Sequence, residues 1–477
     1  MELNKLTIVD AAKGLRRGDF SSEELTDACL KVIRERDGDI HAFLHISDHA
    51  RDAAKKAGEI LKNNPESASP LAGIPIAIKD NILVEGEQCT AGSSILKNYI
   101  ASYDATVIQK LKNQHAILLG KTNMDDAAMG SSTETSAFGP TKNPHDITRV
   151  PGGSSGGSAA AVSADMCMGA LGSDTGGSIR QPASLCGIVG MKPTYGAISR
   201  HGLIAMTSSL DQIGPLAKTV ADAEILFHAI KGQDCFDSTA APEDSFSDEP
   251  DLPLGKLRIG MPKEYFSDGL DPDVKESITK LLTKCEQGGA ELHEVSLPHA
   301  SYALPAYYII VPSEVSSNLA RLDGIRYGYH ASKSMTLYDV YAQSRKTGFG
   351  TEVKRRIMLG TYALSAGYYD AYYTKAQQVR HLISKDFSDA FAKVDILIGP
   401  TTPTPAFKCG EKTSDPLKMY LADIYTVAVN LAGLPGMSIP TGSVIRDGIS
   451  LPVGLQIIAP RFHEKQLFNM GKIIETL

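Results

Sequence analysis

Residues 151–180, PGGSSGGSAAAVSADMCMGALGSDTGGSIR, contain the two glycine- and serine-rich clusters around which the chain is organised. The clusters occupy 152–158 and 172–178, and a helix-forming run and a short apolar run lie between them. Since glycine lets backbone N–H groups approach a ligand and the first N–H groups of a helix are unpaired, the stretch predicts a site for an anionic oxygen. A flexible spacer has a similar composition, but a spacer is not expected inside a continuous α/β pattern.

Ser178 is the predicted nucleophile of an acyl-transfer reaction. Acyl transfer needs a nucleophile, a base that takes its proton, and donors for the oxyanion. Thr175, Gly176 and Gly177 place consecutive backbone N–H groups beside the Ser178 hydroxyl, so they are the predicted donors. None of the twelve histidines lies in either cluster. The sequence therefore indicates a base of another residue type.

Lys79 is the predicted base. It follows the apolar run LAGIPIAI at 71–78, which is typical of a buried strand. Burial disfavours the charged form of lysine and can lower its pKa by several units, which makes a lysine a usable base near neutral pH. A lysine that extends into solvent from the end of a strand remains the alternative.

Five motifs resemble those of the amidase signature family. They are IAIKD at 76–80, GKTNMDD at 120–126, GGSSGGS at 152–158, DTGGSIRQPA at 174–183 and KPTYG at 192–196. The resemblance covers most of the chain. It implies an α/β fold in which helices cover both faces of a central mixed sheet.

The same resemblance implies a role for each catalytic residue. Ser178 would form the acyl intermediate, and Lys79 would be the neutral base behind Ser154. Ser154 would relay the proton and carry a cis peptide bond to Gly153, an arrangement that costs about 3 to 4 kcal/mol and needs a tightly packed loop. The N–H groups of residues 175–178 would form the oxyanion hole.

Two further stretches resemble one branch of that family, the A subunits of bacterial-type glutamyl-tRNA(Gln) amidotransferases. They are MGSSTETS at 129–136 and VNLAGLPG at 429–436. This resemblance implies a glutaminase that supplies ammonia for conversion of Glu-tRNA(Gln) to Gln-tRNA(Gln), or of Asp-tRNA(Asn) where a cell uses that route. It implies a heterotrimer with subunits B and C, in which the partner holds most of the tRNA and carries ATP and Mg²⁺. No cofactor and no metal are expected in this chain.

Two charged residues stand where that branch binds free glutamine. Arg356 would bind the α-carboxylate and Asp423 the α-ammonium group, since a guanidinium fork and an acid match those charges. Without the resemblance, both residues would be interpreted as surface charges on helices. Arg355 remains an alternative to Arg356, because one helical step decides which arginine faces inward.

Composition limits the class of protein. The 477 residues predict one domain, 1–477, with a helical segment at about 1–65 and a catalytic core at about 71–215. The formal charge of −7 argues against a chain that holds a phosphate backbone by itself. Seven scattered cysteines without a CxxC pair, and no apolar run at the start, predict a soluble protein of the reducing cytoplasm without disulfides or zinc.

Other functional interpretations of the motifs are weaker. The GKT at 120–122 could end a phosphate-binding loop, but His115 occupies the position of the required first glycine. The run at 152–156 fits the G-x-S-x-G elbow of α/β-hydrolases, which would also need a histidine and an acid downstream. A stand-alone amidase acting on acyl or aryl amides and a non-catalytic assembly scaffold are the remaining alternatives. A scaffold would gain nothing from the catalytic serines, lysine and glycines.

Short patterns predict the outer elements. From 71 to 215, apolar runs alternate with helices, which is typical of a mostly parallel sheet. A capping box, Ser21 with Glu24, begins an N-terminal helix, and a short helix is predicted from Met124. Long helices are expected at about 305–322 and 351–392, and strands near 394–398, 433–440 and 455–458.

Overall fold

The computed structural model describes residues 2–332 and 336–477. Within them, eleven strands form one sheet. The strands are β1 Phe43–Ile46, β2 Pro75–Lys79, β3 Ile117–Thr122, β4 Gly169–Asp174, β5 Val189–Lys192, β6 Gln212–Ala217, β7 Arg258–Pro262, β8 Glu291–Val295, β9 Ile396–Pro400, β10 Gly436–Arg446 and β11 Ile449–Ile458.

Fifteen α-helices surround the sheet in the described ranges. They are α1 Ile8–Arg17, α2 Ser22–Ile40, α3 Ala50–Asn63, α4 Thr106–Asn113, α5 Gly156–Ser163, α6 Arg180–Cys186, α7 Val220–Ile230, α8 Pro272–Gln287, α9 Ala303–Asn318, α10 Leu337–Gly348, α11 Thr351–Ala363, α12 Lys375–Phe391, α13 Pro416–Tyr420, α14 Val427–Leu431 and α15 Glu464–Thr476. A π-helical segment, Asp370–Thr374, directly precedes α12.

The sheet has the order β1-β3-β2-β4-β6-β5-β10-β11-β9-β7-β8 and mixes both strand directions, which confirms the predicted α/β class with a mixed sheet. Parallel pairs are β2 with β3, β2 with β4, β7 with β8 and β7 with β9. The expectation of a mostly parallel sheet across 71–215 is wrong, because β6 runs antiparallel to both β4 and β5. The chain joins β5 to β6 without an α-helix, and antiparallel neighbours need no helical crossover.

The parallel pairing of β2 with β4 brings Lys79 close to the segment that carries Ser178. Lys79 is the last residue of β2, and Asp174 is the last residue of β4. Because parallel neighbours end at the same edge of a sheet, Lys79 lies beside the loop that follows β4. The helix α5 begins within the first glycine cluster, and α6 begins directly after the second.

Most predicted elements lie within a few residues of their observed positions. The capping box of α2 is present: Ser21 Oγ accepts a hydrogen bond from Glu24 N at 3.1 Å, and Ser21 N–H donates to Glu24 Oε2 at 2.7 Å. The helix predicted from Met124 is wrong, since only one 3-10 turn, Asp126–Ala128, forms there. Positive φ at Ala127 (50°) and the residue after it (63°) prevents a longer helix.

Several elements carry too weak a local pattern to be predicted from sequence. These are strands β1, β5 and β6 and helix α10. Strands β5 and β6 contain glycine, and β6 also contains proline, residues that are depleted in strands. The helical region at 351–392 is divided, because Gly367 adopts a φ of 85° after α11.

The GKT sequence at 120–122 forms the end of a strand and no phosphate-binding loop. These residues close β3, and Lys121 is 1% exposed. The Lys121 Nζ atom lies 3.2 Å from Asp80 Oδ1 and donates to the carbonyl of Ile82 at 2.8 Å. The lysine therefore has a buried ionic partner within the protein.

The cysteines lie both in the core and on the surface. All seven cysteines are unpaired, and five of them are buried. Across residues 2–332 and 336–477, no helix is both long enough and apolar enough to cross a lipid bilayer.

Candidate active site

Lys79 is buried among three serine hydroxyls. Its Nζ atom lies 2.7 Å from Ser154 Oγ, 2.8 Å from Ser155 Oγ and 2.9 Å from Ser173 Oγ. The lysine is 0% exposed, and burial lowers its pKa to about 7, although nearby buried carboxylates favour the charged form. A large fraction of Lys79 is therefore neutral near pH 7 and can take a proton from Ser154.

Ser178 lies beside this cluster and is only partly buried. Its carbonyl oxygen accepts a hydrogen bond from Ser155 N at 3.2 Å, and a Cβ atom on Gly153 would lie 3.1 Å from Ser178 Cα. Every other residue from 166 to 186 is buried, whereas Ser178 is half-buried. No described residue forms a hydrogen bond with its hydroxyl. Such a hydroxyl can reach a substrate while its neighbours hold the loop.

The loop that carries Ser154 differs from the prediction at one bond. Across the described ranges every peptide bond is trans, so the predicted cis bond between Gly153 and Ser154 is wrong. Left-handed φ values of 89° at Gly152 and 50° at Gly153 turn the chain tightly without isomerisation. Gly153 is held at both polar groups: its N–H donates to Gln181 Oε1, and its carbonyl accepts from Thr133 Oγ1 at 2.6 Å.

Only some of the backbone N–H groups predicted as oxyanion donors lack a hydrogen-bond partner within the protein. The N–H of Gly177 donates to Asp174 Oδ1 at 2.9 Å, so it is not available to a substrate oxygen in this arrangement. Thr175 is held through its side chain, which donates to Asp211 Oδ1 at 2.7 Å. Within the described ranges, the N–H groups of Thr175, Gly176 and Ser178 have no acceptor. They can therefore serve an oxyanion, and those of Gly176 and Ser178 belong to the nucleophile and its nearest glycine with a free N–H.

A buried ion pair supports the nucleophile loop, and the sequence analysis missed it. Arg180 donates to Asp174 through Nε at 3.1 Å and through Nη2 at 3.0 Å, and both residues are 0% exposed. The Asp174 carboxylate also accepts from Ile179 N and Asn430 Nδ2. Burial alone would raise the pKa of Asp174, but Arg180 and these donors hold it at about 2. The sequence contains a signal for it, since Asp174 and Arg180 flank the run TGGSI at 175–179.

Arg356 is the inward-facing arginine of α11. It is 3% exposed, and its Nε donates to Glu352 Oε1 at 2.8 Å. Its guanidinium lies 5.2 Å from the ring centre of Tyr308 and 5.6 Å from that of Tyr420. Arg355 has a side chain that is 40% exposed and pairs with the other oxygen of Glu352. Of the two arginines left open by the sequence, Arg356 is the buried one and Arg355 the exposed one.

Asp423 lies against the nucleophile loop. A Cβ atom on Gly177 would lie 3.3 Å from Asp423 Oδ1, and Ser131 Oγ donates to Asp423 Oδ2. The aspartate is 8% exposed, and burial raises its pKa to about 7. Tyr307 reaches the same loop, because a Cβ atom on Gly176 would lie 2.7 Å from its hydroxyl. The sequence gives no sign of this contact, since nothing local distinguishes Tyr307 from the other tyrosines.

A cavity of about 310 Å³ lies on the Arg356 side of the site, and Ser131, which donates to Asp423, connects it to that carboxylate. Ser131, Glu352, Arg355, Arg356 and Tyr420 are among its lining residues. A guanidinium and a carboxylate near an acyl-transfer centre can hold a carboxylate and an ammonium group of one small molecule. The described residues contain no cluster of three or more histidine, cysteine or acidic side chains that could hold a metal ion.

Known proteins resemble the chain over its whole length. The family model described as Amidase matches residues 24–468. The A subunit of the glutamyl-tRNA(Gln) amidotransferase of Thermoanaerobacter pseudethanolicus is 55% identical over 482 residues, which cover 100% of this chain and 97% of the relative. The A subunit of the corresponding enzyme of Koribacter versatilis is 52% identical over 478 residues, covering 100% and 99%.

A solved structure shows the same likeness in three dimensions. The A subunit of the glutamyl-tRNA(Gln) amidotransferase from Thermotoga maritima is 42% identical, with a TM-score of 0.81. The match covers 99% of this chain and 95% of that one. The similarity therefore includes the catalytic core and the later segments that carry Arg356 and Asp423.

Proposed function

The chain belongs to the amidase family, and from that premise we propose that it is the glutamine-hydrolysing subunit of a tRNA-dependent amidotransferase. One observation carries the proposal: the nucleophile loop that bears Ser178 lies against Asp423, and the buried guanidinium of Arg356 is close enough to that carboxyl group to lower its pKa against the effect of burial. A general amide hydrolase needs the nucleophile, but it does not need a buried pair of opposite charges beside it. Free glutamine carries the two charged groups that such a pair binds.

The proposed reaction begins with proton transfer along the serines. Ser178 Oγ attacks the side-chain carboxamide of glutamine, while its proton passes through Ser154 to neutral Lys79. The N–H groups of Gly176 and Ser178 stabilise the tetrahedral oxyanion. The C–N bond then breaks, the nitrogen takes the proton, and ammonia leaves. Water cleaves the glutamyl ester of Ser178 by the same proton route, which releases glutamate and restores the hydroxyl.

Substrate recognition in this proposal depends on the two charged residues. The guanidinium of Arg356 binds the α-carboxylate, and ionised Asp423 binds the α-ammonium group. Free Asp423 has a pKa near 7 because of burial, and a bound ammonium group would favour its charged form.

The proposed partners follow from the relatives, which are named as subunits of an amidotransferase. We assign ATP and Mg²⁺, the activation of the tRNA-borne carboxylate and most of the tRNA contact to partner subunits B and C. Support comes from the net charge of −7, which disfavours binding of a phosphate backbone by this chain alone. A cytoplasmic location fits seven unpaired cysteines.

The proposal is tested by substrate preference in the complex. The chain is purified with the proteins that accompany it, and ammonia release is measured from glutamine and from simple acyl and aryl amides. We expect glutamine to be preferred and glutamyl-tRNA to be amidated when ATP is added. A chain that purifies alone and hydrolyses simple amides as well as glutamine would instead be a stand-alone amidase.

Arg356→Lys should raise the KM for glutamine by at least about tenfold, because an ammonium group cannot replace a planar guanidinium that binds a carboxylate through two hydrogen bonds. Arg355→Lys is the matched control on the neighbouring, exposed position and should change KM less than twofold. Steady-state glutamate release measures both variants. A larger effect at Arg355 than at Arg356 would contradict the assignment made from burial.

Glutaminase kcat should fall on the acid side with an apparent pKa near 7. Burial lowers the pKa of Lys79 to about 7, so protonation below that pH removes the base and kcat decreases about tenfold per pH unit. The profile reports the coupled lysine and serines as a unit. It is measured at saturating glutamine, because protonation of free Asp423 would also raise KM at low pH. A kcat that stays constant down to pH 5.5 would argue against a lysine base.

A further inference from the structure

The peptide group that joins Gly176 to Gly177 is held at both of its polar atoms. Its carbonyl oxygen accepts a hydrogen bond from Thr426 Oγ1 at 2.6 Å, and its N–H donates to Asp174 Oδ1 at 2.9 Å. Because a peptide group is planar, two fixed atoms determine its orientation. The N–H groups of Gly176 and Ser178 flank this plane, so their directions depend on it.

Thr426 reaches the loop from the far end of the chain and cannot touch a substrate. It is 0% exposed, and it lies 250 residues from Gly176 in the sequence. A Cβ atom on Gly177 would overlap the Thr426 hydroxyl, so the glycine allows the close approach. Any effect of Thr426 on the reaction must therefore pass through the loop.

The same turn carries Asp423. Thr426 N donates to the carbonyl of Asp423 at 3.1 Å, and Thr426 Oγ1 lies 3.1 Å from that oxygen. The Asp423 carboxylate lies against Gly177. One turn of chain thus connects the acid at the recognition site to the peptide group beside the oxyanion donors.

The hydroxyl of Thr426 is not required to hold this turn in place. Arg180 Nη1 donates to the carbonyl of Thr426 at 3.2 Å, and Gln456 Nε2 donates to the carbonyl of Tyr425 at 3.0 Å. Both donors belong to buried side chains. Since backbone carbonyls fix the turn, removal of the hydroxyl should release the glycine loop and leave the turn folded.

We propose that Thr426 is a positioning residue that holds the oxyanion donors of Gly176 and Ser178 in place and couples them to Asp423. The coupling rests on the proposed function, because it requires a substrate whose ammonium group engages Asp423. Binding of that ammonium group to Asp423 would restrict the motion of the turn. Through Thr426, it would also hold the oxyanion donors more firmly in position. An amide or ester without the group would use the same donors without this reinforcement.

The test compares Thr426→Val with Thr426→Ser in the assembled complex. Valine keeps the shape and removes the hydroxyl, whereas serine keeps the hydroxyl. We expect Thr426→Val to lower kcat for glutamine about 100-fold, the usual effect of losing one oxyanion donor, with KM changed less than threefold. Thr426→Ser should remain within fivefold of the wild type. Thr279→Val is the matched control, because its hydroxyl bonds only within the exposed face of α8.

Each rate is expressed per active site titrated by the acylation burst of p-nitrophenyl butyrate, so partial unfolding cannot imitate a loss of kcat. An unchanged kcat in Thr426→Val, or an equal loss in Thr426→Ser, overturns the positioning role. The Asp423→Asn variant tests the coupling. The double variant, Asp423→Asn with Thr426→Val, should lose less activity than the product of the losses of the two single variants. A multiplicative loss overturns the coupling between Thr426 and Asp423.

Hydrolysis of p-nitrophenyl butyrate distinguishes a failure of this inference from a failure of the proposed function. This ester needs Ser178 and the oxyanion donors but has no ammonium group. A wild-type complex that cleaves the ester and not glutamine would refute the glutaminase function. In that case a loss of about 100-fold on the ester in Thr426→Val still supports the positioning role, and an unchanged ester rate overturns it.

Discussion

Ser178→Ala should abolish amidation that uses glutamine and leave amidation that uses ammonium salt intact. The substitution removes the acyl acceptor, and loss of a catalytic serine typically lowers kcat by roughly 10⁴- to 10⁶-fold. Ammonia added at high concentration bypasses the inactive site, because in our proposal the partner activates the tRNA-borne carboxylate. The measurement is glutamate release and formation of amidated tRNA, with glutamine or with ammonium salt.

The control for this experiment is assembly. Ser178 is half-buried, and its hydroxyl has no hydrogen-bond partner among the described residues, so its removal should not disturb the fold. Ser267→Ala, at an exposed position, should behave as the wild type. If the Ser178→Ala complex assembles and binds tRNA but ammonium restores nothing, Ser178 also serves the amidation step. The proposed division of labour between subunits would then be wrong.

Lys79→Ala should be nearly as damaging as Ser178→Ala. Without the amine, the proton of Ser178 has no acceptor behind Ser154, which lies 2.7 Å from Lys79 Nζ. The expected loss of glutaminase kcat is at least about 10⁴-fold, as for other bases that act with a serine. Lys79→Met retains length and apolar volume, so a similar loss in both variants would assign the effect to the missing amine.

The double variant distinguishes a single catalytic unit from two separate contributions. Residues that act in one unit have strongly non-additive effects, so Lys79→Ala with Ser178→Ala should be little worse than either single variant. Glutamate release in long incubations measures the residual rates. A multiplicative loss would show that the lysine and the serine act independently, which would argue against the proposed proton path.

The local sequence alone predicted several residues of the candidate site. Glycine clusters, helix-forming runs and a strand that ends in lysine are patterns of neighbouring residues, and each depends on backbone geometry within a few positions. Lys79 and Ser178 could therefore be predicted from these patterns, whereas Ser154 was implied only by the resemblance to the amidase signature family. The pairing of β2 with β4 brings the segments of Lys79 and Ser178 to one edge of the sheet. The capping box of α2 was predicted for the same reason.

The tertiary structure decided what long-range contacts control. It buried Arg356 and exposed Arg355, a difference on which our proposal for the carboxylate site depends. It brought Thr426 to Gly176 across 250 residues of sequence, and it placed Asp423 against Gly177. Periodicity and motif spacing cannot predict these contacts. The contacts depend on how separate elements pack and on which buried polar groups form hydrogen bonds with each other. The sequence thus determined the chemistry available to the site, whereas packing determined the orientation of its donors and the burial of its charged residues.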